Sequence, residues 1–124
     1  PSPARLRSDE ESVTEARLST RFWVQALVRR CSIDGVSAVI VRRGDEERGA
    51  VMLKVNRFDA GCTIWTQTRT LDGDPAWMRG TGTEPVPEAT ADAYVERQVQ
   101  RDPDLWIVEV EDRHARFMPE GKVV

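Results

Sequence analysis

The sequence predicts an α+β domain in the order α-β-β-β-β-α-β, a mostly antiparallel sheet of about five strands with two helices on one face. Three observations predict it. Residues 20–32 and 88–101 repeat apolar side chains at the helical period, five short runs are apolar or β-branched, and the first four of these runs are joined by short connections rich in Asp and Gly. At 124 residues, with 40% hydrophobic and 31% charged residues, the chain can bury one core. A single domain is expected over residues 18–118, with a mobile N-terminal leader (1–17) and a C-terminal tail (119–124). Ser8 followed by Glu11 is a capping-box pattern that offers a short helix as the rival reading of the leader.

In the first helix Trp23, Val24, Leu27, Val28 and Cys31 share one stripe, opposite Arg21, Gln25 and Arg29. Ser19 or Thr20 supplies the N-cap, and "DG" at 34–35 is the stop. "VSAVIVRR" (36–43), "GAVMLKVN" (49–56), "CTIWTQTR" (62–69) and "PAWMRGTG" (75–82) read as an antiparallel meander, with "GDEER" as a solvated hairpin tip. Pro87 suits the start of the second helix, which places Ala91, Tyr94, Val95 and Val99 on one face. Trp23, Leu27, Tyr94, Val108 and Val110 are expected together between helices and sheet.

The last strand, within "DPDLWIVEVEDRH" (102–114), holds most of the chemistry-bearing residues. Period-two geometry sends Trp106, Val108 and Val110 one way and Leu105, Ile107, Glu109 and Glu111 the other. Glu109 and Glu111 therefore share a face, which permits a cation site or an acid–base pair. The expected neighbours, however, are Arg42, Arg43, Lys54 and Arg57, which pair with carboxylates instead of ligating metals. Cross-strand ion pairs at a solvated strand end are the preferred reading. His114, the only histidine, has no Cys or Ser partner at a suggestive spacing and is expected to be an ordinary surface imidazole.

"WVQALVRR", "VIVRRGD", "GAVMLKVNR", "TGTEPVPEATADAYVERQ" and "DPDLWIVEVEDR", in this order and spacing, resemble a bacterial family of short proteins, domain of unknown function 1491. The resemblance spans residues 17–118. It implies a small standalone cytosolic protein and carries over no catalytic residue.

Composition narrows the function further. A net charge of −3 and a pI near 5.2 argue against nucleic acid as a partner. No apolar run is long enough to span a membrane. Cys31 and Cys62 are too few and too separated for a disulfide framework or a zinc site, so a cytoplasmic location is expected. No metal and no cofactor are expected. The leading reading is a non-enzymatic protein-interaction module, binding a protein partner or its own copy as a homodimer. The expected surface is an uncovered sheet face with Trp65, Leu105 and Ile107 at its centre and Arg42, Lys54, Glu109 and Glu111 at its rim. The alternative is a small enzyme or ligand-binding domain that uses the Glu109/Glu111 face with arginines.

Overall fold

The computed structural model describes residues 19–124. Ser19 caps the first helix, α1 (Thr20–Ile33), its hydroxyl accepting from the Phe22 amide at 3.2 Å. Gly35 then turns the chain at a φ of 77°, a conformation glycine adopts without strain. The strands β1 (Ser37–Arg42) and β2 (Val51–Asn56), a 3-10 turn (Phe58–Ala60), and β3 (Cys62–Arg69) and β4 (Pro75–Arg79) follow. After them come α2 (Glu88–Arg101), β5 (Trp106–Glu111) and the two-residue β6 (Lys122–Val123).

The α+β class holds, but the sheet is mixed and has six strands, not about five in a mostly antiparallel array. Its order is β1-β5-β2-β3-β4-β6. The β1–β5, β2–β3 and β3–β4 pairs are antiparallel, while β2–β5 and β4–β6 are parallel. The meander therefore runs only from β2 to β4, because β5 is inserted between β1 and β2. The connection from β1 to β2 must cross the width of β5, about 10 Å for two strand spacings.

The two helices lie on opposite faces of the sheet, which corrects the expectation of one shared face. Val51, Leu53 and Val55 of β2 pack with Val24, Leu27 and Cys31 of α1 and with Trp106, Val108 and Val110 of β5. Met52 packs the other way, with Ile64, Leu105, Ile107 and Ala91 of α2. Every residue of β2 is buried. A strand between two helical layers is buried on both sides: "LWIV" is apolar on both, while "VMLKVN" is apolar on the α1 side and carries Met52, Lys54 and Asn56 on the other. Tyr94 accordingly packs on the α2 side and not with Leu27, Val108 and Val110.

The loop at 43–50 is no hairpin tip: the side chains of residues 45–48 are exposed as expected, but the backbone is docked. Trp106 Nε1 donates to the Asp45 carbonyl at 2.7 Å, and the Asp45 amide to the Asp104 carbonyl at 3.0 Å. The Thr20 and Arg21 amides at the start of α1 donate to the Glu47 and Glu46 carbonyls. Gly44 and Gly49 permit this approach, since a Cβ on either would run into the backbone of Asp104. The C-terminal segment is likewise no loose tail. Phe117 is buried, Trp77 Nε1 donates to the Glu120 carbonyl at 3.0 Å, and β6 pairs with β4. The leader and its Ser8/Glu11 pattern lie outside the described residues.

Candidate functional site

The seven residues expected to share one open face do not gather on one. Trp65 is buried on the α1 side, opposite Leu53 in register, with the Arg79 guanidinium 4.6 Å from its ring centroid. Leu105 and Ile107 are buried beneath α2. Neither face at the centre of the sheet is open, so the expected apolar patch does not form. Arg42 sits at the sheet edge, donating from Nη2 to the Pro103 carbonyl at 3.0 Å. Lys54 and Glu109 do meet, and Glu111 stands at the end of β5.

Lys54 is the centre of a charge cluster. Its side chain is 7% exposed, and Nζ lies 2.6 Å from Asp92, 2.8 Å from Glu88 and 3.3 Å from Glu109. Asn56 adds a hydrogen bond to the same Glu88 oxygen at 3.2 Å. Burial draws the lysine pKa down. The hydrogen bonds that Lys54 donates to Asp92 and Glu88, with the charges of Glu109 and Asp92, more than reverse this and leave it above the ordinary lysine value. Three carboxylates against one ammonium leave a surplus of two negative charges, carried by side chains that stay partly exposed. The cross-strand ion pair expected for Glu109 is therefore present. It forms with Lys54 in the adjacent parallel strand.

Asp112 continues the α1-facing phase of β5 and is 2% exposed. Its carboxylate accepts from the Arg116 amide at 2.8 Å, the Phe117 amide at 2.9 Å and Arg57 Nε at 3.3 Å. It thereby fixes the turn after β5, in which Ala115 takes a φ of 54°. Facing it, Phe58 takes a φ of 60°, and the Arg113 guanidinium lies 4.1 Å from the Phe58 ring centroid. Between these turns lies a cavity of about 230 Å³ lined by Ser37, Phe58, Glu111, Arg113, His114 and Arg116, among others. It sits over the carboxyl ends of the parallel strands β2 and β5.

A third feature lies at the β1 edge. Val39 pairs with Glu109 across β1–β5, so its side chain shares the α2 side of the sheet, yet it is 54% exposed. Val41, where the β1–β5 register shifts, is 59% exposed. An uncovered apolar strip thus borders the surplus charge of the Lys54 cluster.

The chain matches the family model described as "Protein of unknown function (DUF1491)" over residues 18–119. The chain belongs to the DUF1491 family. A crystal structure of a DUF1491 protein from Caulobacter crescentus is similar at 38% identity and a TM-score of 0.77, covering 86% of this chain and 99% of that one. An NMR structure of a DUF1491 protein from the same organism gives 38% identity and a TM-score of 0.74, covering 86% and 96%. The solution structure of Atu0922 from A. tumefaciens shares the fold at 24% identity and a TM-score of 0.65, covering 77% and 86%. No curated protein matches the chain.

Within this DUF1491 chain, the resemblance named no functional residue, and the geometry gives weight to four that sequence reasoning undervalued. Lys54 carried a visible signal: a single lysine inside the apolar run "VMLKVN" must find carboxylates if it is buried. Asp112 carried another, since period two places it in phase with Trp106, Val108 and Val110. Phe58 and Ala115 carried none, because neither residue type announces a positive φ. Cys31 and Cys62 lie in separate clusters on opposite faces of the sheet, and burial pushes both thiols up, which makes them poor nucleophiles. Among the described residues no group of three or more His, Cys, Asp or Glu is placed to hold a metal ion, and no helix is long and apolar enough to cross a membrane.

Proposed function

We propose that this DUF1491 protein is a small binding module that docks a protein segment along the β1 edge, on the α2 side of the sheet. Its partner presents basic side chains alternating with apolar ones. The observation that carries this reading is the juxtaposition of Val39, exposed on a strand edge, with the three carboxylates gathered on Lys54. Val39 and Val41 offer apolar area, and the surplus of two negative charges attracts a cationic partner and repels an acidic one. A second copy brought face to face through this strip would set like charge against like charge. A different protein therefore fits better than the isologous dimer. The register shift at Val41 further limits edge-to-edge pairing of two β1 strands. Two free buried thiols on opposite faces suit a reducing compartment, and the cytoplasm is the proposed location.

The test uses a synthetic peptide of alternating lysine and leucine, with a serine–leucine peptide as the neutral counterpart. Titration calorimetry is expected to give saturable heat with the basic peptide only, weakened by Val39→Ser and by Glu109→Gln and reduced by salt. Equal binding of both peptides, or none of either, overturns the reading. Sedimentation of the chain alone is expected to show a monomer. A dimer abolished by Val39→Ser would assign the strip to a second copy instead.

A further inference from the structure

We propose that the cavity at the end of β5 is an anion site that takes the phosphate or carboxylate group of a small ligand between Arg113 and Arg116, beside His114. The cavity lies beyond the β1 strip, at the start of β1 and the end of β5, and its lining sets Arg113 and Arg116 against Glu111 and Asp112. Of its two carboxylates, Asp112 is already committed: it is buried and accepts from Arg57 and two backbone amides. Arg57 is committed in return, its Nη2 also holding the Phe117 carbonyl at 3.2 Å. Arg113 and Arg116, by contrast, form no ion pair and no side-chain hydrogen bond among the described residues, although both line the cavity. One guanidinium is held over the Phe58 ring and the other lies near Gly35, with a Gly35 Cβ position 3.5 Å from Arg116 Nη1. Two guanidiniums with no carboxylate partner among the described residues line one concavity, in a chain of net charge −3.

Chemistry and size narrow the ligand. A guanidinium offers parallel donors that match the paired oxygens of a carboxylate or phosphate. A volume of about 230 Å³ falls below the ~300–1,000 Å³ of sites for drug-sized molecules. The ligand is therefore a small anion or the anionic end of a longer molecule. Glu111 on the rim opposes it, and this gives the proposal a signed prediction. The turn that positions the arginines is held by Asp112 from beneath, so the exposed side chains can be changed without removing its anchor.

The experiment follows the His114 imidazole, a unique reporter in this chain, by NMR at constant pH and about 0.15 M ionic strength. Inorganic phosphate and acetate are titrated separately. Saturable movement of the His114 resonances and of the 113–116 amides is expected with at least one of them. Saturation by phosphate alone or by acetate alone supports the site and identifies the head group. Arg113→Gln and Arg116→Gln should each weaken binding about tenfold, and Glu111→Gln should tighten it. Unchanged amide dispersion elsewhere shows that the variants remain folded. Saturation by neither anion overturns the proposal. So does a response that the arginine variants leave intact, or weaker binding in Glu111→Gln.

Discussion

Lys54 and Glu109 stand in register across the parallel strands β2 and β5, their charged atoms 3.3 Å apart. The pair depends on β5 being threaded between β1 and β2, and α2 closes it from above with Glu88 and Asp92. Removing the ammonium leaves three carboxylates facing one another. Lys54→Met should cost about 1–3 kcal/mol in urea unfolding. That is less than the ~3–5 kcal/mol typical of a fully buried pair, because the partner carboxylates are partly hydrated.

The same cluster sets a pH dependence. The folded pKa of Lys54 is raised, so its contribution is fully present below the unfolded lysine pKa and is lost as pH rises through the folded one. The stability difference between wild type and Lys54→Met should therefore be flat from about pH 7 to 9. A difference that shrinks across this window in chemical denaturation would contradict the assignment.

Asp112 should be more sensitive than any exposed acid in the chain. Asp112→Ala strands the Arg116 and Phe117 amides and the Arg57 guanidinium, at an expected cost of about 2–4 kcal/mol. Asp112→Asn keeps an acceptor and should cost less. A thermal melt of Asp112→Ala matching that of Glu111→Ala would mean that the turn after β5 holds itself.

Packing of the 43–50 loop makes a parallel claim about small residues. Gly49→Ala should destabilise by about 1–3 kcal/mol, because the added methyl meets the Asp104 and Asp45 carbonyls, which cannot rotate away as side chains do. Gly73→Ala controls for substitution at a glycine with open space around it, where only the backbone strain at a φ of 87° contributes.

Both helices were legible in the sequence nearly to the residue, since each has a periodic stripe, a start signal and a stop: 20–32 expected against Thr20–Ile33, and 88–101 against Glu88–Arg101. The strands were legible too, apart from β6, whose two residues carry no periodicity. Strand order was not. Short polar connections suggested a meander, and nothing local to "GDEER" shows that another strand passes beneath it. The clue lies in Leu105 and Ile107, apolar residues on the second face of β5. An apolar second face can be an exposed patch or the floor of another helical layer. An exposed patch would set Trp65 beside Leu105 and Ile107, from which the sheet separates it. Of the expected site, the Lys54–Glu109 pair survives because adjacency in charge was visible. The strand-end cavity went unread because it depends on two positive-φ residues and a buried aspartate.

The partner-docking claim is tested most directly by mapping where the lysine–leucine peptide lands on the ¹⁵N-labelled chain. Amide shifts are predicted to concentrate at Val39, Val41 and Glu109 and at Glu88 and Asp92 in the first turns of α2, and to saturate only at higher peptide concentration in Val39→Ser. Shifts centred elsewhere, or a map unchanged by that substitution, would contradict it.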